Sequence, residues 1–218
     1  MRKILFMALF TAAIFMVTTA CNKSGDDDET QYSEMSQATK AAWINATAGT
    51  FTGKLHYINP NTNQEDSLDA SWTIKNDSCM TISLPVKQTS IYASSTIIKQ
   101  ALAETESQTM RCTLHAYMSA NSDYYTYWMI PDTNKLSFST KTETSSDDFI
   151  ITFGDVYNYY YGSQSTAYYP ICAYIPATKE FIGYIIVSQM SINGTDTGAN
   201  TVWRLTGKKT QGTIISQD

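Results

Sequence analysis

Histidine is almost missing from this chain: His56 and His115 are the only two in 218 residues. A serine or cysteine hydrolase needs a base within hydrogen-bond reach of its nucleophile. Both histidines fall on the polar sides of alternating segments, where a hydrogen-bonded or solvated imidazole is the expected state. No G-x-S-x-G elbow occurs, and neither a phosphate loop nor an EF-hand loop is present. Cysteine is limited to four copies, and no two have the C-x-x-C spacing of a structural zinc site. Positive charge is also short, with 15 Lys and Arg against 20 Asp and Glu, which excludes a phosphate-binding, nucleic-acid surface. The longest apolar run, Ile4 to Val17, is 14 residues interrupted by Thr11, below the ~20 that a membrane-spanning helix requires. No catalytic residue, metal or cofactor is therefore expected. Paired carboxylates are the one catalytic route left open, although Glu65, Asp66, Asp132, Asp147, Asp148 and Asp155 read as turn residues flanking strands.

What is present begins with an address. Arg2 and Lys3 precede the apolar run, and Thr18, Thr19 and Ala20 put small residues directly before Cys21, the layout of a secretory signal. With Cys21 this resembles the lipobox of bacterial lipoproteins, Thr18 standing in the slot that usually holds leucine. The resemblance implies cleavage behind Ala20 and acylation of Cys21. Behind the cysteine, Asp26, Asp27, Asp28 and Glu29 form an acidic run that cannot bury and reads as a solvated tether. It looks like the acidic export signal of Bacteroidetes surface lipoproteins. The expected organisation is a signal peptide over 1–20, a flexible acidic tether over 21–36 and a single β-rich domain over 37–218. The expected location is the outer membrane, lipid-anchored and surface-exposed. Removing Arg2 and Lys3 leaves 13 basic side chains and a formal net charge of −7.

The domain is rich in rings, with 15 Tyr, 8 Phe and 4 Trp, while charged residues are only 16%; aromatic and β-branched residues pack well on a pleated sheet. Phe51, Leu55 and Tyr57 share one face of a strand over 49–58. Leu68, Ala70, Trp72 and Ile74 continue the alternation, and Met80, Ile82 and Leu84 form a third strand over 78–84. Ser36 to Ile44 reads as a short helix with Trp43 docking on the domain. Ile97, Ile98, Ala101 and Leu102 predict a helix over about 94–105 that covers an open end of the sheet. Further strands follow at 110–118, 124–130, 135–140, 149–153, 171–175, 180–192 and 201–208. With Cys21 acylated, Cys79, Cys112 and Cys172 remain and cannot all pair; alternation puts Cys79 on a polar face and Cys112 on an apolar one, so unpaired thiols are expected.

About ten strands with one inserted helix predict a mainly β fold, either an antiparallel barrel or a two-sheet sandwich. The opening strand Gly49-Thr50-Phe51-Thr52-Gly53 resembles the first strand of lipocalin-like barrels in Bacteroidetes lipoproteins, and the whole chain resembles uncharacterised families of that group. The candidate ligand-binding residues are the aromatic set Tyr124, Tyr125, Tyr127 and Trp128, with Tyr157, Tyr159, Tyr160 and Tyr161 from the tyrosine-rich excursion over 157–169. Their flat faces and hydroxyls suit a sugar or a protein partner, the competing role being to fill a large core. Asp66-Ser67-Leu68 is similar to the O-glycosylation motif of exported Bacteroidetes proteins, with Ser67 as acceptor. The expected function is a lipid-anchored, non-enzymatic module for a glycan, a protein or a small apolar ligand. The alternatives are an accessory enzyme or hydrolase that uses carboxylates, and a purely structural envelope protein.

Overall fold

The computed structural model describes residues 35–117, 123–141, 146–161 and 164–211, and only the backbone of residues 160, 161, 164 and 211. Cys21, residues 22–34 of the tether and Met118 lie outside the described residues. In chain order the elements are helix α1 (Gln37–Thr47), strands β1 (Gly49–Asn59), β2 (Gln64–Ile74) and β3 (Cys79–Leu84), a 3-10 turn (Lys87–Tyr92) and helix α2 (Thr96–Glu104). Then come β4 (Gln108–Tyr117), β5 (Tyr125–Pro131), β6 (Lys135–Lys141), β7 (Ser146–Phe153), β8 (Tyr157–Tyr161) and β9 (Gln164–Tyr168). The last are β10 (Ile171–Ile175), β11 (Glu180–Ile192), β12 (Thr195–Asp196) and β13 (Thr201–Gln211).

Eight strands close into an antiparallel barrel in the order β10, β5, β4, β3, β2, β1, β13, β11, with β11 pairing back to β10. Closure removes the open edges that a sandwich would leave. The length of β11 allows a branch: Glu180–Gly183 pair with β10, while Val187–Ile192, on the same edge, pair with β7. The β6–β7 hairpin therefore extends the wall beyond β10. Strands β8 and β9 form a separate two-stranded ribbon. The strands number thirteen among the described residues, not ten. The additions are β8, β9 and the two-residue β12, in which none of the described side chains is buried.

Inward residues obey the pleat. Phe51, Trp72 and Phe181 meet with ring centroids 5.2–5.6 Å apart, and Tyr174 stands edge-on to Phe51 at 6.0 Å. Gly53 lies opposite Gly207 where β1 crosses β13. A Cβ on Gly207 would stand 2.7 Å from the tip of the Trp72 ring, so glycine is what lets the indole lie across the strand pair. Glu65 and Asp66 are corrected from turn residues to the start of β2, because the hairpin runs in register from Gly49 opposite Ile74 to Asn59 opposite Gln64. The first residues of β2, Gln64, Glu65 and Asp66, are all exposed, which erases the apolar alternation there. Asp147 is likewise inside β7 and buried, its carboxylate accepting from Asn193 Nδ2 at 2.7 Å.

Each end of the barrel has a cover. Helix α1 begins at Ser36, whose Oγ accepts from the Thr39 N–H at 3.1 Å, an N-cap. It lies at the end where β1 begins: Trp43 stacks on Tyr125 at 4.8 Å, and Lys209 Nζ donates to the Ala46 carbonyl at 2.9 Å. The 3-10 turn and α2 lie beyond Leu84 at the opposite end, with Val86, Gln88, Thr89 and Leu102 buried beneath them. Among the described residues no helix is long and apolar enough to cross a membrane. Cys79, Cys112 and Cys172 are free thiols, and Cys112 and Cys172 are buried.

Candidate functional site

Strand β5 reads as apolar on both faces, and the pleat separates its aromatics. Tyr125 and Tyr127 point inward beside Cys172 and Tyr174, while Trp128 points outward beside Ile171. Tyr127 is 0% exposed, so it presents no surface to a ligand. Its hydroxyl lies 2.6 Å from Thr47 Oγ1, and Thr47 Oγ1 in turn donates to the Trp43 carbonyl at 2.9 Å. Thr47 has one proton and has given it to Trp43, so Tyr127 is the donor in the shorter bond. Burial holds the Tyr127 phenol well above its usual range. Tyr125 is half-buried under Trp43 and Tyr124 is half-buried at the mouth of the strand. Of this quartet, Tyr125 and Tyr127 latch α1 to the barrel and Trp128 is left facing solvent.

Trp128 is 39% exposed on the outer wall. Tyr117 flanks it at 5.5 Å and Tyr169 stands edge-on at 6.0 Å. His115 lies directly opposite it across the β4–β5 ladder and Ile130, two residues along, is 48% exposed. Burial pushes the Tyr117 hydroxyl up to about 12; its ring is half-buried, whereas Trp128 stays exposed. Beside the platform, α1 and the barrel rim enclose a cleft of about 460 Å³. Ile44, Leu114 and Ala116 give it an apolar floor, and Gln37, Lys40, Ser78 and His115 bring polar groups to its lip. His115 belongs to both the cleft and the platform. With Asn76 and Asp77 also in the lining, polar side chains outnumber apolar ones there, a make-up that suits a ligand rich in hydrogen-bonding groups. A second depression of about 480 Å³, over Thr52, Ser71 and Ser83, is shallower and has no aromatic wall.

The tyrosine-rich excursion is the β8–β9 ribbon. Tyr157 pairs with Tyr168, and Tyr168 packs on Tyr184 of β11 at 5.5 Å. Tyr157 is thereby half-buried, and Tyr159 is 46% exposed. The side chains of Tyr160 and Tyr161 lie outside the described set. The expected aromatic residues thus divide between two places, Trp128 with the cleft and Tyr159 on the ribbon, joined along the wall by Tyr169. The platform's Tyr117 and the cleft's Lys40 and His115 were not in the expected set. Tyr117 and His115 alternate with Trp128's own face once β4 and β5 are paired, which is the signal that could have found them.

A polar network crosses the opposite wall. Arg204 Nη2 lies 3.0 Å from both oxygens of Glu65, and His56 Nδ1 lies 3.0 Å from Glu65 Oε1. A carboxylate only accepts, so Nδ1–H donates; Nε2 then accepts from the Thr206 hydroxyl at 2.8 Å. Burial first, then the Arg204 charge, lower the His56 pKa below 6.5, against the opposing pull of Glu65. The His56–Glu65 contact is therefore a hydrogen bond from a neutral ring at pH 7, not an ion pair. The other acids in these strands are also engaged: Asp69 pairs with Lys54 at 2.7 Å, and Asp66 accepts from Tyr57 at 3.2 Å. Ser67, half-buried on β2, lies opposite His56. Among the described residues no three His, Cys, Asp or Glu side chains gather as a metal site would require.

A family model described as "Domain of unknown function (DUF4840)" matches residues 46–192. The matched segment runs from the end of α1 through β11 and stops before β13, the strand that joins β1 to β11. No curated protein and no solved structure matches the chain.

Proposed function

The chain belongs to the family described as a domain of unknown function (DUF4840), and from that premise we propose a lipid-anchored, non-enzymatic receptor module that holds a glycan on the outside of its barrel. The observation that carries this is Trp128, open on one face, braced by Tyr117 and Tyr169, and adjacent to a cleft with polar groups at its lip. Sugar rings present an apolar face and a rim of hydroxyls, and an indole beside hydrogen-bonding side chains matches both. The inward side chains, Trp72, Trp203, Phe51, Phe181 and Tyr127, fill the barrel, and this turns the reading away from a carrier of a small apolar ligand and toward the outer wall. Attachment through acylated Cys21 to the outer membrane, with residues 21–36 as the tether, is supported by the signal-like order of residues 1–21.

The test is Trp128→Ala assayed by titration calorimetry against the oligosaccharide that binds best on a glycan array. Truncating a central aromatic contact costs about 2 kcal/mol or more, a loss of roughly 30-fold in affinity. Unchanged affinity with an unchanged thermal transition overturns the platform. Anchoring has its own measurement: Cys21→Ala moves the protein from the membrane fraction to the soluble one, and retention with the membranes overturns acylation as the anchor.

A further inference from the structure

We propose that the glycan taken by this site carries a carboxylate, as a uronic acid does, and that Lys40 receives it at the lip of the cleft. The inference rests on the glycan reading above and names the class of sugar. Its ground is how charge is distributed around the cleft. Lys40 is the one cation in the cleft lining, whereas Lys54, Arg111, Arg204 and Lys208 on the strands are held by Asp69, Asp132, Glu65 and Glu180. Lys40, half-exposed on α1 and facing the cleft, has no ion-pair partner among the described residues. Asp77 is the one acid in the lining. One of its oxygens accepts the Cys79 N–H at 2.9 Å to close the β2–β3 turn, and its charge reaches Arg111.

The neutral polar groups in the lining are the Gln37 and Asn76 amides, the Ser78 hydroxyl and the His115 imidazole, each able to donate. A carboxylate accepts only and carries up to four lone-pair directions, so the cleft's one cation and the neutral donors beside it complement it, while Asp77 is turned to its own backbone bond. A neutral sugar gives a lysine nothing to neutralise. Because His115 is directly opposite Trp128 in the ladder, where facing Cβ atoms are about 5 Å apart, one ring can lie on the indole while a carboxylate reaches the lip. A cation kept uncompensated in a chain of net charge −5 also opposes the general repulsion an acidic sugar would meet.

The experiment is calorimetric titration of the full chain in detergent with three trisaccharides: galacturonic acid, galactose and 6-sulfated galactose. The expected result is galacturonate binding about tenfold tighter than galactose, as a hydrogen bond to a charged group provides. That preference should shrink as salt approaches about 1 M, where the screening length is about 3 Å. Lys40→Met keeps the aliphatic stem and abolishes the preference. Lys135→Met, on β6 and outside the cleft, retains it. Far-UV circular dichroism confirms that each variant is folded. Equal binding of galacturonate and galactose, or a preference that survives Lys40→Met, overturns the inference and leaves the glycan reading standing. Binding of the sulfated sugar as tight as the carboxylated one also overturns it. If no sugar binds, both proposals fall.

Discussion

The bond between Tyr127 and Thr47 offers a measurable asymmetry. Tyr127→Phe removes a donor, and Thr47 keeps its own donation to the Trp43 carbonyl, so the loss is that of an ordinary hydrogen bond, about 1 kcal/mol. Thr47→Val removes the acceptor instead and leaves the Tyr127 hydroxyl, 0% exposed, facing a methyl group. An orphaned buried donor adds its desolvation penalty of about 1–3 kcal/mol, so this substitution costs about twice as much or more. The double variant removes both polar groups, and its cost falls below the sum of the singles by about 1 kcal/mol, the coupling of the pair. In a domain of this size 1 kcal/mol corresponds to about 2–4 °C in Tm, so urea denaturation and calorimetry both resolve the series. Trp43 fluorescence, reporting its stack on Tyr125, should change in the Thr47 variant before global unfolding. Strict additivity, or a Tyr127→Phe cost equal to that of Thr47→Val, refutes the directional bond and the latching role assigned to it.

Gly207→Ala presses a methyl against the Trp72 ring and the β1 backbone, and overpacking of this kind costs about 1–3 kcal/mol or more; a wild-type Cm in urea refutes the crossing geometry. The folded His56 pKa lies below the unfolded value of 6.5, so the unfolded chain binds the proton more readily. Stability is then full above pH 6.5 and declines as pH falls through the window between 6.5 and the lower folded value. His56→Gln should flatten that part of the curve, and an unchanged slope refutes the assignment. Burial pushes Cys112 up to about 12 and Cys172 well above its usual value, so a thiol reagent at pH 8 should label only Cys79 among these three until the protein unfolds. Rapid labelling of Cys172 in the native protein refutes its burial.

The parts of the site that were legible in advance were those written in local chemistry. Aromatic density pointed to Trp128 and Tyr159, but it could not separate them from Tyr127, because a residue's side of the wall depends on pairing partners. Lys40 was invisible for another reason: nothing near it in the chain says that α1 will fold back against β4. The His56, Glu65 and Arg204 cluster spans 139 residues between Glu65 and Arg204, and it exists only because β13 lies beside β1. Reading Glu65 as a turn residue failed because the start of β2 is exposed throughout and so has no apolar period.

Alternation along Phe51, Leu55 and Tyr57, along Trp72 and Ile74, and along Met80, Ile82 and Leu84 determined by itself that these segments are strands and which way they face, because a pleat has period two. The short helix from Ser36 to Ile44 and the helical spacing from Ile97 to Leu102 were legible in the same local way, while the structure decided that Ser36 is the cap. Tertiary structure alone decided that the sheet closes on itself as a barrel, since closure depends on β11 pairing with β13 on one edge and with β10 on the other. Closure then decided which rings became core and which became surface. A long-range pairing chooses among partners that are equally apolar in sequence, and only the packed barrel, with Trp72 lying over Gly207 and α1 latched by Tyr127, distinguishes them.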